Sequence, residues 1–347
     1  MLDDSNQRRT ELDKLGEFGL IKEISENVKL QNNSSKLGIG DDAAVIQYEE
    51  GMQTVVSTDM LIEGVHFDLS YTPLKHLGYK SVVVNLSDIY AMNAMPEQIT
   101  MSIAISNRFS LEAIQEFYSG VLLACDTYGV DLVGGDTTSS VAGLVISVTA
   151  IGKAKPENIV KRSTATDSNL LVLTGDLGGA YMGLQILERE KQIFAESPNV
   201  QPKLEGYDYI LERQLKPEAR RDVILEFANL DILPTAMMDI SDGLSSEILH
   251  LCAESNLGVD LYEDKIPVDP ETFDKAREMN LDPTLCALSG GEDYELLFAI
   301  DLKDYDKVKN HPSFTVIGHF TETGNPKQLI AKDGSTHELL AQGWKSF

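Results

Sequence analysis

Strand-like and helix-like segments alternate along the whole chain, and this alternation constrains the fold more than any other feature. Runs rich in apolar and β-branched residues predict strands that begin near 54, 99 and 143. Apolar residues at helical spacing predict helices over 17–30 and 111–129. The segment 77–96 contains several valines, but its length without a breaker favours a helix that ends before Pro96. The alternation predicts a mixed α/β protein.

A polar and cationic stretch at 153–169, which contains Pro156, interrupts this pattern near the middle of the chain. After it the pattern restarts with the strand-like run LLVLTG, and 347 residues suit about two domains. We therefore predict an N-terminal α/β domain over 1–152 and a C-terminal α/β domain over 153–347.

The net charge limits which kinds of partner the chain can bind. It has 29 Lys and Arg against 55 Asp and Glu, a formal net charge of −26, which repels nucleic acid and anionic membranes. An anionic substrate such as a phosphate would also be repelled unless cations were bound locally. The sequence has neither a transmembrane-length apolar run nor a signal peptide, and its three cysteines lack metal-binding spacing, so we expect a cytoplasmic protein.

Aspartates recur beside Gly, Ser or Thr at the ends of apolar runs. The segments are GIGDDAAV with Asp41 and Asp42, STDM with Asp59, LSDIYAM with Asp88, GGDTT with Asp136, and DISDGLS with Asp239 and Asp242. One such site is ordinary turn or helix-cap chemistry. Five of them suggest oxygen ligands for several Mg²⁺ ions, which would also offset the charge conflict. Five unrelated caps on an acidic surface remain the alternative.

Two glycine-containing segments allow two interpretations each. In SGGEDYELLF, Glu292 and Asp293 lie where a turn enters a strand, which suits either a functional loop or a polar turn. TGDLGGA, at 174–180, fits a strand-to-helix turn better than a dinucleotide motif. The turn Ser241–Gly243 precedes an apolar helical stripe, so we expect its N–H groups to be open to a phosphate.

These motifs, together with GEFGLI and STDMLIEGVHF, resemble in order and spacing the thiamine-monophosphate kinase family, from Gly16 to Trp344. The family is related to aminoimidazole ribonucleotide synthetase and selenophosphate synthetase. The resemblance implies a two-domain fold of the aminoimidazole ribonucleotide synthetase type, with the N-terminal sheet pairing across a homodimer. It also implies transfer of the γ-phosphoryl group of ATP to thiamine monophosphate, assisted by several Mg²⁺ ions.

The resemblance also implies roles for single residues. The metal ligands would be Asp42, Ser57, Thr58, Asp59, Asp88, Asp136, Asp239 and Asp242, and the catalytic subset would be Asp42, Asp59, Asp88 and Asp239. The nucleotide would contact Gly135, Asp136, Arg162 and Ser241. The thiamine substrate would contact His66, Glu292 and Trp344, the only tryptophan of the chain.

The chemistry agrees with this interpretation, because phosphoryl transfer needs alignment and charge neutralisation rather than a nucleophilic side chain. We expect direct in-line transfer without a phosphoenzyme. Two alternatives differ in class: a related nucleotide enzyme, and a non-catalytic module that senses a nucleotide or metal. The chain lacks the early cysteine of selenophosphate synthetase and the terminal cysteine of the hydrogenase-maturation relative. The sensor is disfavoured because every acidic position of the motif set is present.

Overall fold

The computed structural model describes residues 23–37 and 45–341, which form two compact units. The first unit runs to Lys155 but omits Tyr90–Ala94. The second unit takes Tyr90–Ala94 and the chain from Pro156 onward. Asp41, Asp42 and Trp344 lie outside the described residues, so their predicted roles have no structural counterpart here.

The first unit is built on a four-stranded mixed sheet. The elements of the unit are β1 (Ser35–Leu37), β2 (Val45–Ile46), β3 (Gln53–Ile62), α1 (Leu74–Ala91), β4 (Met95–Ile105), α2 (Leu111–Tyr128), β5 (Asp131–Ser139) and β6 (Val145–Ala154). The strand order of the sheet is β3-β6-β4-β5, in which only β4 and β5 are parallel.

Local sequence accounts for both long helices of this unit. Helix α2 begins after Ser110, whose side chain accepts the N–H of Ala113, and ends at Gly129 in the left-handed conformation, which confirms the predicted span. The predicted helix before Pro96 is also confirmed as α1. Its consecutive residues Val82, Val83 and Val84 are all buried, so burial overrides their preference for strands.

The predicted helix over 17–30 is wrong at its C-terminal end. Within the described residues the helix ends at Ser25, and turn hydrogen bonds at Asn27 and Val28 follow it. The chain is then held against the sheet, because the backbone N–H groups of Gln31 and Asn32 donate to the buried carboxylate of Asp131. That tertiary contact competes with continuation of the helix.

The second unit is built on a seven-stranded sheet. Its strands are β7 (Leu170–Thr174), β8 (Ala236–Asp239), β9 (Gly258–Tyr262), β10 (Leu296–Ile300), β11 (Phe314–Thr321), β12 (Lys327–Ile330) and β13 (Thr336–Glu338). Their order in the sheet is β13-β12-β9-β11-β7-β10-β8. Its helices are α3 (Gly179–Glu196), α4 (Asp208–Leu215), α5 (Arg221–Leu230), α6 (Leu244–Ser255), α7 (Pro270–Glu278), α8 (Pro283–Ser289) and α9 (Tyr305–Val308).

The central strands of this sheet are covered on both faces. All four residues of β8 and all five of β10 are buried. Phe227, Phe298 and Phe314 form an aromatic cluster with ring centroids 4.9 to 5.9 Å apart. The two units therefore both combine sheet and helix, as predicted. Among the described residues, no helix combines the length and the apolar character that a membrane span requires.

Candidate active site

A close pair of carboxylates, Asp59 on β3 and Asp88 on α1, forms the acidic site of the first unit. Burial, and next the charge of Asp88, raise the pKa of Asp59 to about 6. The Ser57 hydroxyl donates to Asp88, and the Asp59 N–H donates to Asn85 Oδ1 at 2.9 Å. Three predicted residues, Ser57, Asp59 and Asp88, therefore lie together, at a site where a bound cation would offset the repulsion between two acids.

Thr58 lies on the other face of β3, since successive side chains of a strand point to opposite faces. Its hydroxyl donates to the Val148 carbonyl at 3.0 Å and accepts from the Thr149 hydroxyl at 3.0 Å. Its side chain is therefore engaged away from the Asp59 and Asp88 pair.

Asp136 also lies away from this pair within the unit. The pairing register places Met60, Ser147, Ser102 and Asp136 in one row across the sheet, one position beyond the row of Asp59. Paired residues share a face, so Asp136 and Asp59 lie on opposite faces. The preceding Gly135 passes so close to β4 that a Cβ there would lie 1.9 Å from the Met101 carbonyl oxygen.

His66 lies in the turn that follows β3, on the same unit as the acid pair. Its Nδ1 accepts the N–H of Ile62 at 3.0 Å. This contact fixes the ring orientation and leaves Nε2 as the protonated nitrogen of the neutral ring.

The acidic turn of the second unit connects β8 to α6, as the sequence predicts. Asp239 is the last residue of β8 and is buried, and burial raises the pKa of Asp242, which lies two residues before the helix starts. Glu247, in the first turn of α6, is not among the residues predicted from the sequence. It is 1% exposed, and its Oε1 accepts the N–H of Asp242 at 2.9 Å and that of Ser241 at 3.3 Å.

The turn was expected to leave its N–H groups open to a phosphate. Those of Ser241 and Asp242 instead donate to the Glu247 carboxyl group. Burial, and then the charges of Asp242 and Asp239, raise its pKa to about 8, while the backbone N–H groups oppose that rise. A glutamate in the first helical turn after a small-residue turn is a recognisable capping signal, and it could have identified this contact.

The loop that carries Glu292 lies against this acidic turn. The Glu292 N–H donates to the Ser241 carbonyl at 2.7 Å, and the Tyr294 N–H donates to that of Ile240 at 2.8 Å. A Cβ on Gly291 would lie 2.5 Å from the Ser241 carbonyl oxygen, so the close approach requires glycine. The structure therefore brings together a predicted nucleotide contact, Ser241, and a predicted substrate contact, Glu292.

The other acids of SGGEDYELLF support the fold. Asp293 accepts the N–H groups of Gly178 at 2.8 Å and Ala180 at 3.3 Å, at the start of α3. Glu295 accepts from the Thr174 hydroxyl at 2.6 Å and from two guanidinium groups, those of Arg213 and Arg220. The segment 174–180 is a strand-to-helix turn, as predicted.

Arg162 lies in an exposed loop before β7, and its carbonyl oxygen accepts from the Ser255 hydroxyl at 2.9 Å. Ser255 is the last residue of α6, whereas Ser241 precedes its first turn. Twelve helical residues span about 18 Å at 1.5 Å each. The backbone of Arg162 is therefore far from Ser241 within the second unit.

The predicted metal ligands are oxygen donors that suit Mg²⁺, but the described ones do not lie in a single group. Carboxylate and hydroxyl oxygens are the ligands that Mg²⁺ prefers, and one or two carboxylates per ion are typical. Within 23–37 and 45–341, no group of three or more His, Cys, Asp or Glu side chains could hold a metal ion. The Asp59 and Asp88 pair, with the Ser57 hydroxyl, is the described group that fits best, and Asp42 is outside the described residues.

Comparison with known protein families first gives the broad class of protein to which the chain belongs. Residues 40–154 match the family model of the AIR synthase related protein N-terminal domain, and residues 167–327 match that of the C-terminal domain. Solved structures of the hydrogenase maturation protein HypE share the fold at 17% identity and a TM-score of 0.71 for the complex with ATP. The chain therefore has the two-domain architecture of AIR synthase related proteins.

More similar relatives narrow this class. The thiamine-monophosphate kinase of Bacillus subtilis (strain 168) is 31% identical over 346 residues, which cover 96% of this chain and 100% of that protein. The Buchnera aphidicola (Schizaphis graminum) kinase is 34% identical over 93% of this chain and 99% of that protein. The structure described as AaThiL complexed with AMPPCP and TMP is 30% identical, with a TM-score of 0.73, over 99% of this chain and 100% of that one. The chain belongs to the thiamine-monophosphate kinase family.

Proposed function

We propose that this protein transfers the γ-phosphoryl group of ATP to thiamine monophosphate and so forms thiamine diphosphate. One observation carries the proposal: the similarity to AaThiL, a protein solved with AMPPCP and TMP, extends over 99% of this chain. The acidic and glycine-containing turns that suit phosphate chemistry lie within that span.

Several Mg²⁺ ions would be held by Asp59, Asp88 and Ser57 in the first unit and by Asp239 and Asp242 in the second. Asp42, Thr58 and Asp136 are the remaining predicted ligands, and Thr58 and Asp136 would hold a different ion from that of Asp59 because their side chains lie on the opposite face of the sheet. Bound Mg²⁺ would neutralise the phosphates of both substrates, which this acidic chain would otherwise repel. The raised pKa of Asp59 supports the assignment, because a carboxylate crowded by another acid gains most from a cation.

We further propose direct in-line transfer without a phosphoenzyme. The acceptor is a phosphate monoester whose second ionisation falls near pH 6, so its attacking oxygen is already anionic at neutral pH. The protein therefore needs no general base, and its residues align the two anions. Gly135, Asp136, Arg162 and Ser241 would contact the nucleotide, while His66, Glu292 and Trp344 would contact thiamine monophosphate.

A homodimer formed through the sheet of the first unit is part of the proposal. β3 is an edge strand, and its Val56 and Met60 side chains are 60% and 53% exposed on the face that Asp136 shares. Large apolar side chains exposed along one sheet face are suited to burial against another chain. A symmetric pair would cover this face in both copies.

The reaction can be tested directly with ATP, Mg²⁺ and thiamine monophosphate. We expect ADP and thiamine diphosphate in equal amounts. Rapid-quench experiments with γ-labelled ATP should give no labelled protein. A labelled protein that forms and decays at the turnover rate would contradict direct transfer, and turnover with a different acceptor alone would favour a related enzyme.

A further inference from the structure

We propose that Asn85 is a positioning residue for the Asp59 and Asp88 pair and that it makes the pair select Mg²⁺ over a larger divalent cation. The inference deepens the proposed function and rests on it, since a cation held by this pair is part of that proposal. Asn85 lies on α1 and is 1% exposed. Its Oδ1 accepts the N–H of Asp59 at 2.9 Å, although 26 positions separate the two residues in the chain.

Two hydrogen bonds connect β3 to α1 beside the acid pair. The Ser57 hydroxyl donates to the Asp88 carboxylate, and the Asp59 N–H donates to Asn85. Ser57 and Asp59 share a face of β3, because they are two positions apart on a strand. Asn85 and Asp88 are three positions apart on a helix, which makes them neighbours on its surface. Each acid therefore lies next to a contact that joins the strand to the helix.

The Asn85 amide is itself fixed in orientation. Its Nδ2 donates to the Ser81 carbonyl oxygen at 3.0 Å, one turn earlier in α1. The helix is in turn packed closely against α2, because a Cβ on Gly78 would lie 2.0 Å from the Phe117 carbonyl oxygen. Asn85 therefore links the backbone of Asp59 to a tightly packed helix.

The contact reaches the backbone of Asp59 and not its carboxylate. It does not compete with a cation for the carboxylate oxygens, and the neutral amide adds no charge to the pair. Mg²⁺ requires near-ideal octahedral geometry with ligands at about 2.1 Å, whereas Ca²⁺ takes more variable geometry at about 2.4 Å. Because selectivity between the two ions depends on the rigidity of the ligands, a pair with a looser separation should discriminate less between them.

The test compares Asn85 variants with a matched control in the same helix. Asn85→Leu keeps the size of the side chain but removes the acceptor, and Asn85→Ala removes the whole amide. Ser81→Ala is the control, because the buried Ser81 hydroxyl donates at 2.8 Å to the Gly78 carbonyl oxygen, a bond that stays within α1. Calorimetric titration of the metal-free proteins with MgCl₂ and with CaCl₂ measures both affinities without turnover. Asp59→Asn identifies the binding event of the pair, since that event should be lost in this variant.

We expect Asn85→Leu to weaken Mg²⁺ binding at the pair about fivefold, the effect of one lost hydrogen bond between neutral groups. Ca²⁺ binding should stay within about twofold of wild type, so the preference for Mg²⁺ falls. Ser81→Ala should also lower Tm, but it should leave both affinities within about twofold of wild type. If Asn85→Leu does not fold, Asn85→Ala gives the same comparison.

Each failure has its own outcome. A wild type that binds Mg²⁺ no better than Asp59→Asn would contradict the proposed cation site of the pair. If the wild type does bind better, a folded Asn85→Leu variant with the wild-type preference for Mg²⁺ would contradict the role of Asn85 alone. A Ser81→Ala variant that loses the preference to the same extent would show that Asn85 only stabilises the helix, and would overturn the positioning role.

Discussion

At the residue scale, the charges of Asp59 and Asp88 repel each other, and the proposed Mg²⁺ would offset that repulsion. Burial and mutual repulsion raise the pKa of Asp59 to about 6, so the pair destabilises the fold when both acids are ionised. The sequence indicated both residues, but the contact between β3 and α1 that brings them together depends on tertiary structure.

Asp88→Asn should therefore stabilise the metal-free protein by about 1 kcal/mol at pH 7.5, because the amide removes one of two facing charges and can still accept from Ser57. Thermal unfolding in EDTA measures this gain. The rise in Tm on adding Mg²⁺ should be much smaller than in wild type. Exposed Glu116→Gln should change neither quantity. A variant that keeps the full response to Mg²⁺ would remove Asp88 from the ligand set.

Asp293 gives a pH dependence whose sign can be worked out. Burial raises the pKa of Asp293 to about 6, although Arg213 and the N–H groups of Gly178 and Ala180 oppose the rise, so between about pH 4 and 6 the folded protein keeps a proton that the unfolded chain loses. The stabilisation that the protonated Asp293 carboxyl group contributes to the fold is fully present below about pH 4 and is lost as the pH rises through 6. A pKa that is higher by about two in the folded protein than in the unfolded chain corresponds to roughly 3 kcal/mol of unfolding free energy.

Relative to Asp293→Asn, the wild type should lose up to roughly 3 kcal/mol of unfolding free energy between pH 4 and pH 7. Urea unfolding at several pH values measures the difference. For the exposed Asp274→Asn variant, the difference in unfolding free energy from wild type should change by less than about 0.5 kcal/mol over the same pH range. A difference for Asp293→Asn that also stayed constant would show that burial does not raise this pKa.

At the scale of elements, the start of β5 holds the chain that leads into β1. The fully buried Asp131 accepts from the Gln31 and Asn32 N–H groups and from the Ser35 hydroxyl. Asp131→Ala should cost about 3 kcal/mol of unfolding free energy, since it leaves two part-buried N–H groups and the buried Ser35 hydroxyl without their acceptor. Asp126→Asn changes an exposed contact with the same segment, at Gln31, and should cost less than about 0.5 kcal/mol. If chemical denaturation gave the same loss of unfolding free energy for both variants, the role of Asp131 in holding this segment would be contradicted.

Local signals determined the elements well where they were strong. Apolar residues at helical spacing predict α2, which the Ser110 cap and Gly129 bound in the structure, and a small-residue turn followed by an apolar stripe predicts the start of α6. The short helix before Gln31 could not be bounded from sequence, because Asp131 is 100 positions away from it. The contact between Asn85 and Asp59 was equally inaccessible, since it depends on the packing of α1 beside β3.

At the scale of the whole molecule, the exposed sheet face of the first unit predicts self-association. Met60→Glu adds a charge on the edge strand β3 of that face and should convert a dimer to a monomer, as measured by light scattering after size-exclusion chromatography. Val141→Glu, at a fully exposed loop position outside this face, should leave the assembly unchanged. A wild type that is monomeric at micromolar concentration would contradict the proposed dimer.

The most direct test of the central claim is a coupled assay of the purified chain with ATP, Mg²⁺ and thiamine monophosphate, with chromatographic identification of the products. We predict one thiamine diphosphate per ADP. We also predict a loss of at least about 100-fold in kcat/KM in Asp59→Asn, since the variant removes a ligand of the Mg²⁺ that would neutralise transition-state charge. The absence of thiamine diphosphate, or an Asp59→Asn variant as active as wild type, would contradict the proposed reaction and the role of Asp59.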